Sequence, residues 1–194
     1  MQNSLRLYKK PETIGVYLGA NVGSMMAFKQ SVLKLAHEII KHELTLIYGG
    51  SSFGMMGLLA TTVKESGGRV IGVITRHLIE QERPLDSLDE LIVVDSMQER
   101  KKIMQQLSDV FIAMPGGLGT LEEAIETWNA IKIKELDKPF GFLNIEGYFD
   151  KLFDFIGNCR DYGFIQSEQA NIPFIEADPE SLLNELILDT ESAH

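Results

Sequence analysis

Cysteine is nearly missing from this chain: Cys159 is the only one among 194 residues. No disulfide can form within it, and a reducing compartment is the expectation. Basic runs are missing too. The net charge is −10, with 18 Lys and Arg against 28 Asp and Glu. That balance excludes broad electrostatic binding to nucleic acid or to an anionic membrane surface. No apolar stretch approaches the length that spans a bilayer. Met1 to Pro11 is polar, carries Arg6, Lys9 and Lys10, and lacks the apolar core of a signal peptide. The expected location is the cytoplasm.

Several chemistries lack their signatures as well. No G-x-G-x-x-G follows the first strand-like run, and no G-x-x-x-x-G-K-S/T occurs. The histidines, at 37, 42, 77 and 194, are not spaced as paired ligands on a helix, and with one cysteine a zinc site is not expected. No G-x-S-x-G elbow is present. No lysine stands in a recognisable context for a Schiff base. Neither a metal nor a cofactor is expected.

What the chain does have is alternation. Thr13 to Leu18, Leu44 to Tyr48, Arg69 to Ile74, Glu90 to Val94, Val110 to Met114, Pro139 to Leu143 and Pro173 to Ile175 read as strands. Helices are expected over Met26 to Lys41, Met55 to Lys64, Met97 to Leu107, Tyr148 to Tyr162 and Pro179 to Leu188. Gly67-Gly68 suits a C-cap, Ser96 an N-cap with Glu99 completing a capping box, and Asp178 another N-cap. Arg76 to Leu88 reads as a loop with a short helical piece. The pattern implies an α/β fold: a Rossmann-like, doubly wound, mostly parallel sheet with helices on both faces. Residues 1–12 read as an extension and 13–190 as a single domain. Ligands of such sheets bind beyond the carboxyl ends of the strands. Three small-residue turns fall there, at 19–24, 49–54 and 115–120.

The third turn, Pro115-Gly116-Gly117-Leu118-Gly119-Thr120-Leu121-Glu122-Glu123, stands between an apolar run and a helical pattern made by Leu121, Ala124, Ile125, Trp128 and Ile131. At such a turn the glycines let backbone approach a ligand, and the free N–H groups of the helix start make an anion site. Thr120 adds a hydroxyl. Glu123 leans back toward that site, about one turn or roughly 5 Å away. Two readings stand: Glu122 and Glu123 complement the helix dipole, or Glu123 faces a sugar hydroxyl, a water or a developing positive charge.

Arg100 is an anomaly on the 97–107 helix. It shares the apolar stripe of Met97, Met104 and Leu107, while Lys101, Lys102, Gln105 and Gln106 lie elsewhere. An inward guanidinium needs a partner. A phosphate or carboxylate at a strand end would serve, as would a salt bridge to Glu122 or Glu123, or a snorkelling side chain.

Together these residues carry a resemblance. Pro115-Gly-Gly-Leu-Gly-Thr-Leu-Glu-Glu123, with Met97-Gln-Glu-Arg-Lys101 upstream, resembles the P-G-G-x-G-T-x-x-E and M-x-x-R-K motifs of the Lonely Guy family of phosphoribohydrolases. Tyr48-Gly-Gly-Ser-Ser-Phe-Gly-Met-Met-Gly57 is similar to the family's Y-G-G-G-x-x-G-L-M-G, with Ser51 at a glycine position. The resemblance runs from about Thr13 to Ile165. It implies cleavage of the N-glycosidic bond of nucleoside 5′-monophosphates, AMP or cytokinin riboside monophosphates, to free base and ribose 5-phosphate. It implies Arg100 and Glu123 as the catalytic pair. Glu82, Arg100, Lys101, Gly116, Gly117, Leu118, Gly119, Thr120, Leu121, Glu122, Glu123 and Asn129 would bind substrate; Asn129 stands where many members have Thr. It also implies a homodimer or larger homo-oligomer with sites near the subunit interface. The alternative is a binding protein, since molybdenum-cofactor carriers with a similar glycine turn hold a phosphorylated ligand without cleaving it. Such a carrier needs the turn but not the acid.

Overall fold

Seven short runs, mostly of Val, Ile, Leu and Phe, pair side by side; the central ones are buried on both faces, as parallel strands are, and the two edge strands are partly exposed. In the computed structural model, which describes residues 10–192, they alternate with helices. In chain order the elements are β1 Thr13–Tyr17, α1 Met26–Lys41, β2 Thr45–Tyr48, α2 Gly54–Glu65, β3 Val70–Thr75 and, after a 3-10 turn over Arg76–Leu78, α3 Ile79–Glu82. Then come β4 Glu90–Val94, α4 Met97–Leu107, β5 Val110–Ala113, α5 Leu118–Lys132, β6 Phe140–Leu143 and a second 3-10 turn over Ile145–Gly147. The chain ends with α6 Asp150–Asp161, α7 Ser167–Ala170, β7 Phe174–Glu176 and α8 Pro179–Ser192. Most of the expected N-terminal extension lies outside the described residues.

The sheet is parallel throughout, in the order β4-β3-β2-β1-β5-β6-β7. Thus the expected α/β, doubly wound architecture is the one observed. One core packs α1, α2 and α8 against the sheet through Val32, Leu35, Ile39, Leu59 and Leu186. The other packs α4, α5 and α6 through Met104, Ala124, Trp128 and Phe153. Trp128, the single tryptophan, lies edge-on to Phe142 with centroids 5.9 Å apart and donates its indole N–H to the Gln169 carbonyl at 2.9 Å. Among the described residues no helix is long and apolar enough to cross a membrane.

The strand order creates the opening. The chain winds outward from β1 to β4, then α4 carries it back past three strands so that β5 pairs with β1 on its other side. The βα turns after β1 and β5 therefore diverge onto opposite faces of the sheet and leave a crevice. α4 is pinned at both ends. The Ser96 hydroxyl accepts the Glu99 N–H at 3.1 Å. The Glu99 carboxylate reaches back one residue further than a capping box requires, to the Asp95 N–H at 3.1 Å. At the other end, the Lys138 ammonium donates to the carbonyls of Gln105 at 2.8 Å and Ser108 at 2.6 Å, serving acceptors that a helix end leaves open. Ser96→Ala should cost about 1 kcal/mol and lower the melting temperature by roughly 2–4 °C, read by thermal unfolding. The Asp178 carboxylate likewise accepts the Ser181 N–H at 3.1 Å, capping α8.

Candidate functional site

A cavity of about 490 Å³ opens at the crevice, within the range of small-ligand sites. All three small-residue turns meet there: Gly19, Gly49 and Gly116 each line it. They are stitched together, since the Gly19 N–H donates to the Pro115 carbonyl at 3.3 Å and the Met55 N–H donates to the Gly19 carbonyl at 3.1 Å. Gly116 is required by close approach: a Cβ there would stand 2.1 Å from the Thr120 hydroxyl oxygen and 2.9 Å from the Gly19 nitrogen. Gly117 is the N-cap of α5, so the open N–H groups of that helix begin at the cavity wall.

Arg100 points into this space, with only 5 % of its surface exposed. Nη2 donates to the Gly49 carbonyl at 3.0 Å and Nη1 to the Met97 sulfur at 3.7 Å, while Nε is buried without a partner. Neither structural alternative for this arginine is realised. It does not snorkel, and no ion pair is formed by it among the described residues. An unpaired, desolvated guanidinium is costly; on the wall of a cavity it has the chemistry to take an anion.

Glu123 lines the same cavity. Burial pushes its carboxyl up to about 7. The Arg100 charge pulls the other way, Glu122 and Glu82 push up, and Lys101 pulls down. A carboxylic acid with its midpoint near neutrality can both release and take a proton at working pH. Glu82 arrives from α3 as a second acid, its Oε2 buried without a partner. Its backbone is held by the Ser52 N–H, which donates to the Glu82 carbonyl at 3.1 Å.

Of the residues expected to bind substrate, the structure thus brings Glu82, Arg100, Gly116, Gly117, Gly119, Thr120 and Glu123 together at the cavity. It does not bring Lys101, Leu118, Leu121, Glu122 or Asn129 there. Lys101 follows Arg100 by about 100° on the helix and so faces α5. Its ammonium donates to Glu122 at 2.8 Å and also to Glu126. Burial alone would lower its pKa, but the two carboxylates raise it. Glu122 is therefore a partner of Lys101. Leu118 is 86 % exposed on the outer side of the turn, and Leu121 packs on the α4–α5–α6 core. Asn129 is exposed six residues past Glu123, about 9 Å along the helix. Gly49, which the sequence reading placed in a strand-end turn but not among the substrate-binding residues, also lines the cavity, as does Tyr148, to which that reading gave no role.

The family described as "Possible lysine decarboxylase" matches residues 56–186. A cytokinin riboside 5′-monophosphate phosphoribohydrolase of Arabidopsis thaliana is 41% identical over 162 residues, 84% of this chain and 71% of the relative. This chain belongs to the Lonely Guy family. A probable cytokinin riboside 5′-monophosphate phosphoribohydrolase of Oryza sativa subsp. japonica is 41% identical over 157 residues, 80% of this chain and 70% of that one. Among solved structures, the molybdenum cofactor binding protein of the phototrophic bacterium Rippkaea orientalis matches with a TM-score of 0.66 at 25% identity. That match covers 91% of this chain and 95% of the other. This Lonely Guy chain therefore shares its fold with a cofactor-binding protein and its sequence with hydrolases. Among the described residues no lysine lines its cavity, so those residues do not supply the Schiff-base amine that the decarboxylase description would need.

Proposed function

We propose that this chain hydrolyses the N-glycosidic bond of nucleoside 5′-monophosphates, AMP or a cytokinin riboside monophosphate, giving free base and ribose 5-phosphate. The observation that carries the reading is the meeting of Glu123, the buried Arg100 and the glycine turn in one cavity. The N–H groups of the α5 start and the Thr120 hydroxyl hold the 5′-phosphate, and that remote binding places C1′ against Glu123. As the C1′–N bond lengthens, positive charge grows on the sugar. A fixed carboxylate stabilises it more in the transition state than in the ground state. Water adds to C1′ and gives a proton to Glu123. The base leaves with the electron pair of the broken bond and takes up a proton, so one water is consumed. Arg100 offsets part of the burial that holds the Glu123 proton on, and offers Nε–H to the ligand.

The reading extends to a single domain over 13–190 working as a homodimer or larger homo-oligomer in the cytoplasm. Incubation of the purified protein with a panel of nucleoside monophosphates, including AMP and isopentenyladenosine monophosphate, tests the activity by chromatography of the free base. Release of base from at least one member is expected; release from none overturns the reading. The carrier alternative lacks a use for Glu123.

A further inference from the structure

Tyr148, expected as the first residue of a helix, stands instead on a turn that delivers it to the cavity. After β6, the Asn144 side chain closes this turn: its Oδ1 accepts the Phe149 N–H at 2.8 Å and its Nδ2 donates to Asp150 at 2.8 Å. Glu146 and Gly147 both take left-handed backbone, with φ 53° and 70°. That conformation is costly for a glutamate and is a form of strain that collects at functional sites. The phenol ring then packs edge-on against Phe28 of α1, centroids 5.5 Å apart, and against Phe149 at 4.9 Å. Its hydroxyl donates to the Gly116 carbonyl at 2.6 Å.

That single bond acts on the peptide joining Gly116 to Gly117. In a trans peptide the C=O and the following N–H lie in one rigid plane and point in opposite directions within it. Holding the Gly116 oxygen therefore aims the Gly117 N–H. Gly117 has no side chain to hold its own orientation, and the space around its Cα is open. We propose that Tyr148 is a positioning residue for the phosphate seat. Its hydroxyl fixes the 116–117 peptide so that the free N–H groups at the start of α5 converge on the sugar phosphate. The inference rests on the hydrolase reading for the identity of that anion. The buried, unpartnered Nε of Arg100 on the same cavity is the independent sign that an anion belongs there.

Tyr148→Phe keeps the ring against Phe28 and Phe149 and removes only the donor. Calorimetric titration with ribose 5-phosphate, together with steady-state kinetics on the nucleotide that turns over, reads the effect. Ribose 5-phosphate should bind about fivefold more weakly, with KM rising in step, kcat unchanged and the melting temperature within about 4 °C of the parent's. Affinity equal to the parent's overturns the proposal, as does a kcat that falls as far as the affinity does. Normal parental turnover with an unaffected variant sinks the positioning role alone. Tyr148-dependent binding of ribose 5-phosphate without turnover of any nucleotide sinks the hydrolase reading alone. A parent that binds no ribose 5-phosphate overturns the seat, and this proposal with it.

Discussion

Replacing Glu123 by glutamine is expected to lower kcat by a factor of about 10²–10⁴ while the nucleotide still binds. Glutamine fills the same space but carries no charge and takes no proton. The comparison of kcat with a binding titration isolates the acid; surviving turnover would remove Glu123 from the mechanism. In the parent, kcat/KM should rise with pH through about 7 and then level, because the ionised carboxylate is the working form. A phosphate monoester releases its second proton near pH 6, about a unit lower, so the two limbs separate, and only the upper one disappears in the variant.

The same substitution should make the protein more stable at high pH. In the unfolded chain the Glu123 carboxyl ionises at its ordinary value of 4.5, and in the folded protein near 7. Below the lower value both states keep the proton and nothing is at stake. Between the two, only the unfolded chain has released it, so rising pH favours unfolding. Above the upper value the penalty is constant, on the order of 3 kcal/mol. Glu123→Gln abolishes it. Thermal melts at pH 8 should show the variant about 6–10 °C above the parent, with the two converging near pH 4. A variant that melts lower at pH 8 would mean that the carboxylate is stabilised where it sits. A variant that melts higher marks the acid as a site residue kept at the expense of the fold.

Gly49→Ala is the second large effect. A Cβ at this position would lie 2.0 Å from Arg100 Nη2 and 2.9 Å from the Met56 sulfur. The guanidinium is the far end of a long side chain and gives way first, losing its bond to the Gly49 carbonyl. A displacement of about 1 Å at such a group costs roughly 10²-fold in rate. The variant should therefore lose about 10²-fold in kcat/KM with an unchanged circular dichroism spectrum. Activity near the parent's would show that Arg100 does not need its observed position.

Arg100 shows what the sequence made legible. An arginine on the stripe of Met97 and Met104 starts out toward the interior, which left an anion contact, a salt bridge or a snorkelling side chain open, and the buried Nε at the cavity is what that placement became. The glycine turn was legible because a strand-like run and a helical period meet at it, and the Ser96 cap because its hydroxyl needs only local chain. The partners of Lys101 were not legible in the sequence, for a physical reason. Periodicity gives the side of its own helix, not what a neighbouring helix presents, and Glu122 and Glu126 come from α5. Tyr148 was hidden by two left-handed residues ahead of it, one of them a glutamate, which no turn preference singles out. Gly49 reads as an ordinary turn glycine until the guanidinium 51 positions later is placed against it.

The lone indole carries a practical consequence. Trp128 lies on the helix that bears Glu123 and is sealed between Phe142 and the Gln169 carbonyl. Its emission is thus a label-free gauge of whether α5 is docked. A blue-shifted spectrum marks a seated helix, and a red shift that precedes the loss of helical signal marks α5 lifting away while the rest of the sheet stays folded.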